Sequence, residues 1–156
     1  MTEYNKNARI FGNTLYAIRK ERGLPRTKMA DDLGVSLEKY RQYESAKYMP
    51  RISTLCCIAA KVGVWPTSLI GGDERRLRGR KAEELEEDIL SNIARRIGEY
   101  RTMRGLTQAQ LGEIVGINGA NIGRYEAEKV TPTMGMACRI ADAMGVTLLQ
   151  LMGGSK

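Results

Sequence analysis

The side chains with the clearest chemical potential in this sequence are its basic ones. Lysine and arginine together number 25, against 18 aspartates and glutamates, so the formal net charge is +7. Such an excess favours polyanionic partners, with nucleic acid first among them. The sequence contains no histidine, and it therefore lacks the most common general base and metal ligand. We expect neither a catalytic site nor a bound metal or other cofactor.

The cysteines and the apolar residues narrow the class of protein further. Cys56, Cys57 and Cys138 show no C-x-x-C spacing and cannot form an ordinary zinc site without histidine, so we expect reduced thiols. No apolar run approaches the length of a membrane span, and the first residues lack the apolar segment of a secretory signal. We therefore expect a cytoplasmic protein without a membrane partner. Only one Trp and one Phe are present, and this favours duplex DNA over single strands, which bind by stacking on aromatic rings.

An internal repeat organises the chain. A shift of 82 residues places residues 19–35 on 101–117 and keeps its register without a gap as far as the Gly-Gly pairs at 71–72 and 153–154. Tyr43-Glu44 falls on Tyr125-Glu126 under this shift. The sequence thus predicts two copies of one domain, residues 5–72 and 90–154, joined by a charged linker at 73–89 that is partly helical.

Each copy has the pattern of short helices. In the second copy, Ile93 and Ile97 mark one face of a first helix that ends near Gly105, and Thr107 is placed to cap a second helix that ends near Gly116. A third, a fourth and a short fifth helix follow, and no strand-like alternation is visible. We predict an all-α fold with five helices in each copy.

An apolar stripe extends the first helix of the second copy backwards into the linker. Leu85, Ile89, Ile93 and Ile97 recur every four residues, which predicts a helix from about residue 82. The extension would leave Leu85 and Ile89 exposed unless the other domain or a second chain covers them. We favour a homodimer contact at these two residues, with an interdomain contact as the alternative.

The second copy contains a specific set of motif residues, which are Thr107, Gln108, Leu111, Gly116-Ile117, Ile122, Arg124-Tyr125-Glu126 and Pro132. With these residues it closely resembles the helix-turn-helix domain of the Cro and lambda-repressor-like (XRE) family. The first copy is similar but departs at three places, with Pro25 at the capping threonine, Arg26 at the glutamine and Tyr40 at Ile122. The resemblance implies two tandem five-helix domains and a sequence-specific, duplex-DNA-binding transcriptional regulator, with repression as the default, from a bacterium, a phage or another mobile element.

The resemblance also implies which side chains contact DNA, since in this family the third helix enters the major groove. For the second copy the implied positions are Gln108, Asn118, Gly119, Ala120, Asn121 and Arg124. For the first copy they are Arg26, Lys28, Ser36, Glu38, Lys39, Arg41 and Gln42. Arginine suits guanine and asparagine suits adenine, so the two copies, if both read bases, should prefer different half-sites.

Two further pairs carry a structural meaning in the family. Arg19 and Glu44 lie 25 residues apart, as do Arg101 and Glu126. The resemblance implies that each is a partly buried ion pair that fixes where the first and third helices meet, and not a DNA ligand.

The sequence leaves the other binding partners open. Asp31 and Asp32, on the second helix of the first copy, are candidates for a contact with RNA polymerase, with a solvated acidic face as the alternative. No site for a small-molecule ligand is evident. The unusual first copy keeps a second function in view, that of an adaptor or antitoxin whose helix-turn-helix surfaces bind protein.

Overall fold

Helices form nearly all of the regular structure in the computed structural model, which describes residues 1–154 of the 156-residue chain. Within those residues the chain forms nine α-helices and one 3-10 helix. They are α1 (Glu3–Glu21), α2 (Arg26–Leu33), α3 (Leu37–Glu44), α4 (Ile52–Val62), the 3-10 helix (Pro66–Ile70), α5 (Ala82–Met103), α6 (Gln108–Val115), α7 (Gly119–Glu126), α8 (Met134–Met144) and α9 (Leu148–Met152). The first five elements and the last five correspond in order, and the predicted all-α, tandem architecture is confirmed.

The second helices of the two domains, α2 and α6, have different N-caps but the same kind of C-terminal glycine. Thr107 caps α6 in a capping box, in which its hydroxyl accepts from the Gln110 N–H and the Gln110 side chain accepts from the Thr107 N–H. Helix α2 begins after Pro25, whose side chain has no acceptor. Both helices end at a glycine in the left-handed conformation, Gly34 with φ +71° and Gly116 with φ +82°, a conformation that side chains with a Cβ rarely adopt.

One continuous apolar core runs through both domains, from Phe11 and Leu15 to Ile140 and Leu151. Cys56 and Cys138 occupy equivalent positions in it under the 82-residue shift, and both are free and buried. Burial raises the pKa of each of these two thiols to about 12, so both stay protonated at neutral pH. Cys57 is also free but exposed.

The domains pack against each other through a reciprocal set of helices. Helix α1 lies on α8, α4 lies on α5, and the 3-10 helix lies on α9. In the order of elements within a domain, the first helix of each domain thus contacts the fourth helix of the other, and the two last helices contact each other. We refer to these contacts together as the interdomain interface.

The apolar stripe of α5 lies in this interface. Helix α5 does begin at Ala82, as the four-residue spacing predicts, and Leu85 and Ile89 are both 0% exposed within the single chain. The favoured expectation of a homodimer contact at these residues is therefore wrong, because α4 of the same chain already covers this part of α5. The interdomain alternative describes the structure.

The connection between the domains is shorter and more ordered than a free linker. Because α5 begins at Ala82, the second half of the predicted linker is helical. The Trp65 N–H donates to the Arg75 carbonyl at 2.8 Å and the Leu77 N–H to the Gly63 carbonyl at 3.0 Å. The guanidinium carbons of Arg75 and Arg80 lie 4.6 and 5.4 Å from the centre of the Trp65 ring. These two arginines of the linker are thus held against Trp65 of the first domain.

Candidate nucleic-acid interface

Two glycines set the close packing of α6 against α7. A Cβ atom on Gly112 would lie 2.7 Å from the Ile117 carbonyl oxygen and 2.8 Å from the Gly119 nitrogen. A Cβ atom on Gly119 would lie 2.7 Å from the Cα of Ala109. Since these neighbours are backbone atoms that cannot rotate away, only glycine fits at either position. Gly119, one of the positions implied for DNA contact, is therefore also needed within the protein to bring α6 and α7 together.

The outer face of α7 presents an asparagine and an arginine that are joined to each other. The Arg124 guanidinium donates from Nη1 to Oδ1 of Asn121 at 3.0 Å, and Arg124 is exposed. Ala120 is exposed beside them. Asn118 caps the helix, since its Oδ1 accepts from the Ala120 N–H at 2.9 Å. The amide nitrogen of Asn118 keeps its donors, and so does that of Asn121.

A bidentate ion pair ties the end of the third helix of each domain to the first helix of that domain. Arg101 donates from Nε and Nη2 to the two oxygens of Glu126 at 2.6 and 3.1 Å, and from Nη1 to the Leu106 carbonyl at 2.8 Å. In the first domain Arg19 donates to Glu44 at 3.0 and 2.8 Å, and to the Leu24 carbonyl at 3.1 Å. Both pairs implied by the family resemblance are present, and their geometry fixes α3 and α7 in orientation.

The ion pairs shift the pKa values of Glu44, Arg19 and Arg101. Burial alone would raise the pKa of Glu44, but hydrogen bonds from Arg19 and the charges of Arg19 and Arg26 outweigh it, so the pKa lies below its usual value of 4.5. The same hydrogen bond raises the pKa of Arg19, and the hydrogen bond to Glu126 raises that of Arg101. Both arginines and Glu44 are thus charged at neutral pH.

Gln108 and Arg26 occupy the same place in the two domains. Gln108 donates from Nε2 to Glu126 at 3.1 Å, and its side chain lies over Gly123, where a Cβ would come within 3.1 Å of its Oε1. Arg26 donates from Nε to Glu44 at 3.2 Å. Both residues are exposed. Each one therefore links the start of the second helix to the end of the third helix and still reaches the surface.

The first domain offers a different set of groups around α3. Lys28 pairs with Asp32 at 2.9 Å, and Gln42 donates to Glu38 at 3.1 Å. Ser36 caps α3 by accepting from the Lys39 N–H at 3.1 Å. The side chains of Lys39 and Arg41 are exposed. Most of the implied DNA-contact residues of this domain thus make contacts within the protein, and Lys39 and Arg41 are its most available cations.

The positions implied for DNA contact gather on α7 and the start of α6 in the second domain, and on α3 and the start of α2 in the first. Asp31 and Asp32 lie exposed on α2, beside Lys28.

The packing role of Gly112 was not predicted from the sequence. A glycine inside a helical pattern costs stability relative to alanine and often has a packing reason, so its presence within QAQLGEIV was a usable signal. No helix among the described residues is both long and apolar enough to cross a membrane.

Comparison with known proteins agrees with this geometry. A family model described as Helix-turn-helix matches residues 15–64 and 97–151. The chain is 30% identical over 90 residues to the immunity repressor protein of Bacillus phage phi105, a stretch that covers 58% of this chain and 61% of that relative. It is 30% identical over 101 residues to the SPbeta prophage-derived uncharacterized HTH-type transcriptional regulator YonR of Bacillus subtilis strain 168, covering 65% of this chain and 87% of the relative.

A third relative is the cryptic phage CTXphi transcriptional repressor RstR of Vibrio cholerae serotype O1, 32% identical over 76 residues, which covers 45% of this chain and 68% of the relative. No solved structure matches the chain significantly. The family model matches more than half of the chain, in two segments that each contain one helix-turn-helix unit. The chain therefore belongs to the Cro/C1-type (XRE) family of helix-turn-helix proteins.

Proposed function

We propose that this protein is a transcriptional repressor that binds a specific duplex DNA site, with α7 as its main reading helix in the major groove. The observation that carries the proposal is the exposed Arg124–Asn121 pair on α7. The helix beneath it is held by the Gly112–Gly119 contact and by the Arg101–Glu126 ion pair. An arginine presented at a fixed angle can bind guanine O6 and N7 with two hydrogen bonds, the most common specific contact in the major groove.

The asparagine has a defined part in this reading. Its Oδ1 accepts from Arg124, so in this arrangement Asn121 holds the guanidinium in place and keeps its amide hydrogens for a base or a phosphate. Gln108 lies at the N-terminus of α6, where backbone N–H groups and the helix dipole favour an anion. We assign it a phosphate contact made alongside its hydrogen bond to Glu126.

The first domain supports the same function mainly through charge. Residues 1–72 carry 12 basic and 6 acidic side chains, whereas residues 91–156 carry 8 and 5. Contacts between cations and phosphates supply the part of affinity that does not depend on sequence. We propose that Lys39 and Arg41 on α3 bind the backbone or bases of an adjacent half-site.

We infer repression from the relatives of this chain, two of which are named repressors. A bound protein of this size can block a promoter that overlaps its site. The test is selection of sites from a random duplex pool, followed by transcription in vitro from a promoter that contains the selected site. A fall in transcript with bound protein supports repression, and a rise would show activation instead.

A salt series distinguishes DNA binding from the adaptor alternative. Affinity for duplex DNA should fall steeply as salt rises, because bound phosphates release counterions. Glu38 on the reading helix of the first domain keeps that domain a candidate for protein contact, since it adds a negative charge to α3. Absence of any salt-dependent DNA binding would overturn the proposed function and favour the adaptor.

A further inference from the structure

We propose that a single chain binds a complete DNA site on its own, as an internal pseudo-dimer. Its first domain pairs with its second domain, and neither domain pairs with another copy of itself. Its DNA site should therefore consist of two unlike half-sites in inverted orientation, bound by one chain. The inference rests on the DNA binding proposed above, and adds to it the stoichiometry and the symmetry of the site.

The interdomain interface has the pattern of a two-fold dimer. Helix α1 contacts α8 and, reciprocally, α4 contacts α5, while the 3-10 helix and α9 contact each other. At the centre, a Cβ on Gly154 would lie 3.2 Å from the Cβ of Thr67, which is itself 2% exposed. An interface in which the same patch is used by both partners is isologous, the arrangement of closed two-fold dimers. Here both partners are in one chain.

One half of this interface is polar. The Leu148 N–H, at the start of α9, donates to Oε1 of Glu3 at 2.7 Å, and Nδ2 of Asn7 donates to the same oxygen at 2.9 Å. Glu3 and Asn7 are only 8% and 2% exposed. A carboxylate buried this far is tolerated because donors surround it. The Leu148 N–H, which comes from the other domain, is one of these donors.

The equivalent half is apolar. The 82-residue shift that aligns the domains places Glu3 on Leu85, Asn7 on Ile89 and Leu148 on Pro66. Leu85 and Ile89 are 0% exposed. At the equivalent positions Leu85 has no acceptor where Glu3 has a carboxylate, and Pro66 has no backbone N–H where Leu148 has a donor. The two changes match each other across the repeat.

This matching specifies which domains pair. Two first domains in the same arrangement would set each Glu3 carboxylate against Pro66, which cannot donate. Two second domains would set each Leu148 N–H against Leu85, which cannot accept. A buried polar group without a partner is costly, so both like pairings are disfavoured and the mixed pairing is satisfied. The unpaired polar groups in both like pairings thus favour pairing between the two unlike domains.

Because the two domains repeat the same order of helices and pack reciprocally, we infer that α3 and α7 are related by the same approximate two-fold axis, although their outer faces differ. Neither α3 nor α7 is among the helices that form the interface. Position 121 of α7 is Asn and position 124 is Arg, where α3 has Lys39 and Gln42. Two-fold-related helices bind inverted half-sites, and unlike side chains read unlike bases. An inverted but asymmetric site follows.

The first experiment measures stoichiometry and site symmetry on the full chain. A selected duplex is compared with two versions in which one half-site or the other is duplicated as a perfect inverted repeat. We expect one chain per selected duplex by light scattering, and at least about tenfold weaker binding to both symmetrised duplexes. Two chains on a symmetric duplex, bound as tightly as the selected one, would overturn the inference but leave DNA binding intact. No sequence-specific binding to any duplex would instead overturn the proposed function.

The second experiment tests the complementarity without DNA. Glu3→Leu removes the acceptor for the Leu148 N–H, whereas the matched variant Glu3→Gln keeps an oxygen at that position. We expect Glu3→Leu to lower the equilibrium constant for folding about tenfold more than Glu3→Gln. It should also allow first domains of separate chains to pair, so the mass should rise with concentration for this variant alone. Equal stability of the two variants, with one mass at all concentrations, would contradict the proposed pairing.

Discussion

The guanidinium of Arg124 and the amide oxygen of Asn121 are joined by a 3.0 Å hydrogen bond on the outer face of α7. The two residues are three apart in sequence, and neighbours at this spacing share one face of a helix. The bond limits the rotamers of a long side chain that is otherwise exposed. For the proposed contact with a base, less entropy would then be lost on binding, which favours specificity.

Replacing Arg124 with alanine should therefore weaken binding to the selected site by about 1–3 kcal/mol and relax the preference at one base pair. Titrations by mobility shift, on the selected duplex and on its single-base variants, measure both effects. Arg95→Ala is the matched control, because Arg95 is an exposed arginine on α5 that pairs with Glu99. If the base preferences of Arg124→Ala equal those of the unsubstituted protein, α7 does not present this residue to the bases.

A methyl group at Gly112 should separate α6 from α7. Its Cβ would lie 2.7 Å from a backbone oxygen, so Gly112→Ala should destabilise the protein by about 1–3 kcal/mol through overpacking. Chemical denaturation measures this change in the free energy of unfolding.

Gly135→Ala provides the contrast for this prediction. Gly135 is also helical, but the nearest atom to an added Cβ is the Thr133 hydroxyl at 4.0 Å. This substitution should stabilise the protein by about 0.5–1 kcal/mol, since alanine is the better helix former. Equal effects of the two substitutions would mean that the close contact at Gly112 does not constrain the helix pair.

Because Ile89 is buried within the chain, its replacement should change the stability of the protein and not its molecular mass in solution. Ile89→Ala should lower the free energy of unfolding by about 2–5 kcal/mol, because it leaves a cavity between α4 and α5. Ile114→Ala, the same change at a residue that is 57% exposed, should cost less than about 0.5 kcal/mol. Thermal unfolding and light scattering check both. A fall in mass on replacing Ile89, with stability unchanged, would restore the homodimer contact.

The sequence alone predicts most of the scaffold. An ungapped repeat and well-placed capping residues locate the helices, and the family resemblance implies the ion pairs Arg19–Glu44 and Arg101–Glu126. The backward extension of α5 follows from the spacing of Leu85 and Ile89. An amphipathic stripe shows that a face is covered but contains no information on what covers it, and the homodimer expectation failed for this reason.

The polar part of the interdomain interface was not predictable. Glu3 and its donor Leu148 are 145 residues apart, and an acidic residue near the beginning of a helix has an ordinary local explanation in the helix dipole. The contact of Gly119 with Ala109 in α6 likewise depends on how two helices meet, and the implied DNA contact of Gly119 stays a prediction. Both are tertiary contacts that no local pattern encodes.

The Arg19–Glu44 pair predicts an acid-sensitive contribution to stability. The pKa of Glu44 is lowered in the folded protein, below the usual value of 4.5 that applies when the chain is unfolded. A group with a lowered pKa stabilises the fold above its unfolded pKa, and this contribution is lost as the pH falls through the folded pKa. The stabilisation should hence be constant from pH 7 to about pH 5 and decline below 4.5.

Glu44→Gln is the variant that isolates this effect, since it keeps the shape of the side chain and removes the charge. At pH 7 it should be less stable by about 3–5 kcal/mol, because Arg19 is left buried without its counter-charge. As the pH falls below 4.5, the protonated glutamate becomes equivalent to the glutamine, and the difference in unfolding free energy should narrow. Urea denaturation of both proteins at a series of pH values gives this difference directly. A difference that stays the same from pH 7 down through the acid range would show that the charge of Glu44, as distinct from its hydrogen bonds, does not hold α3 against α1.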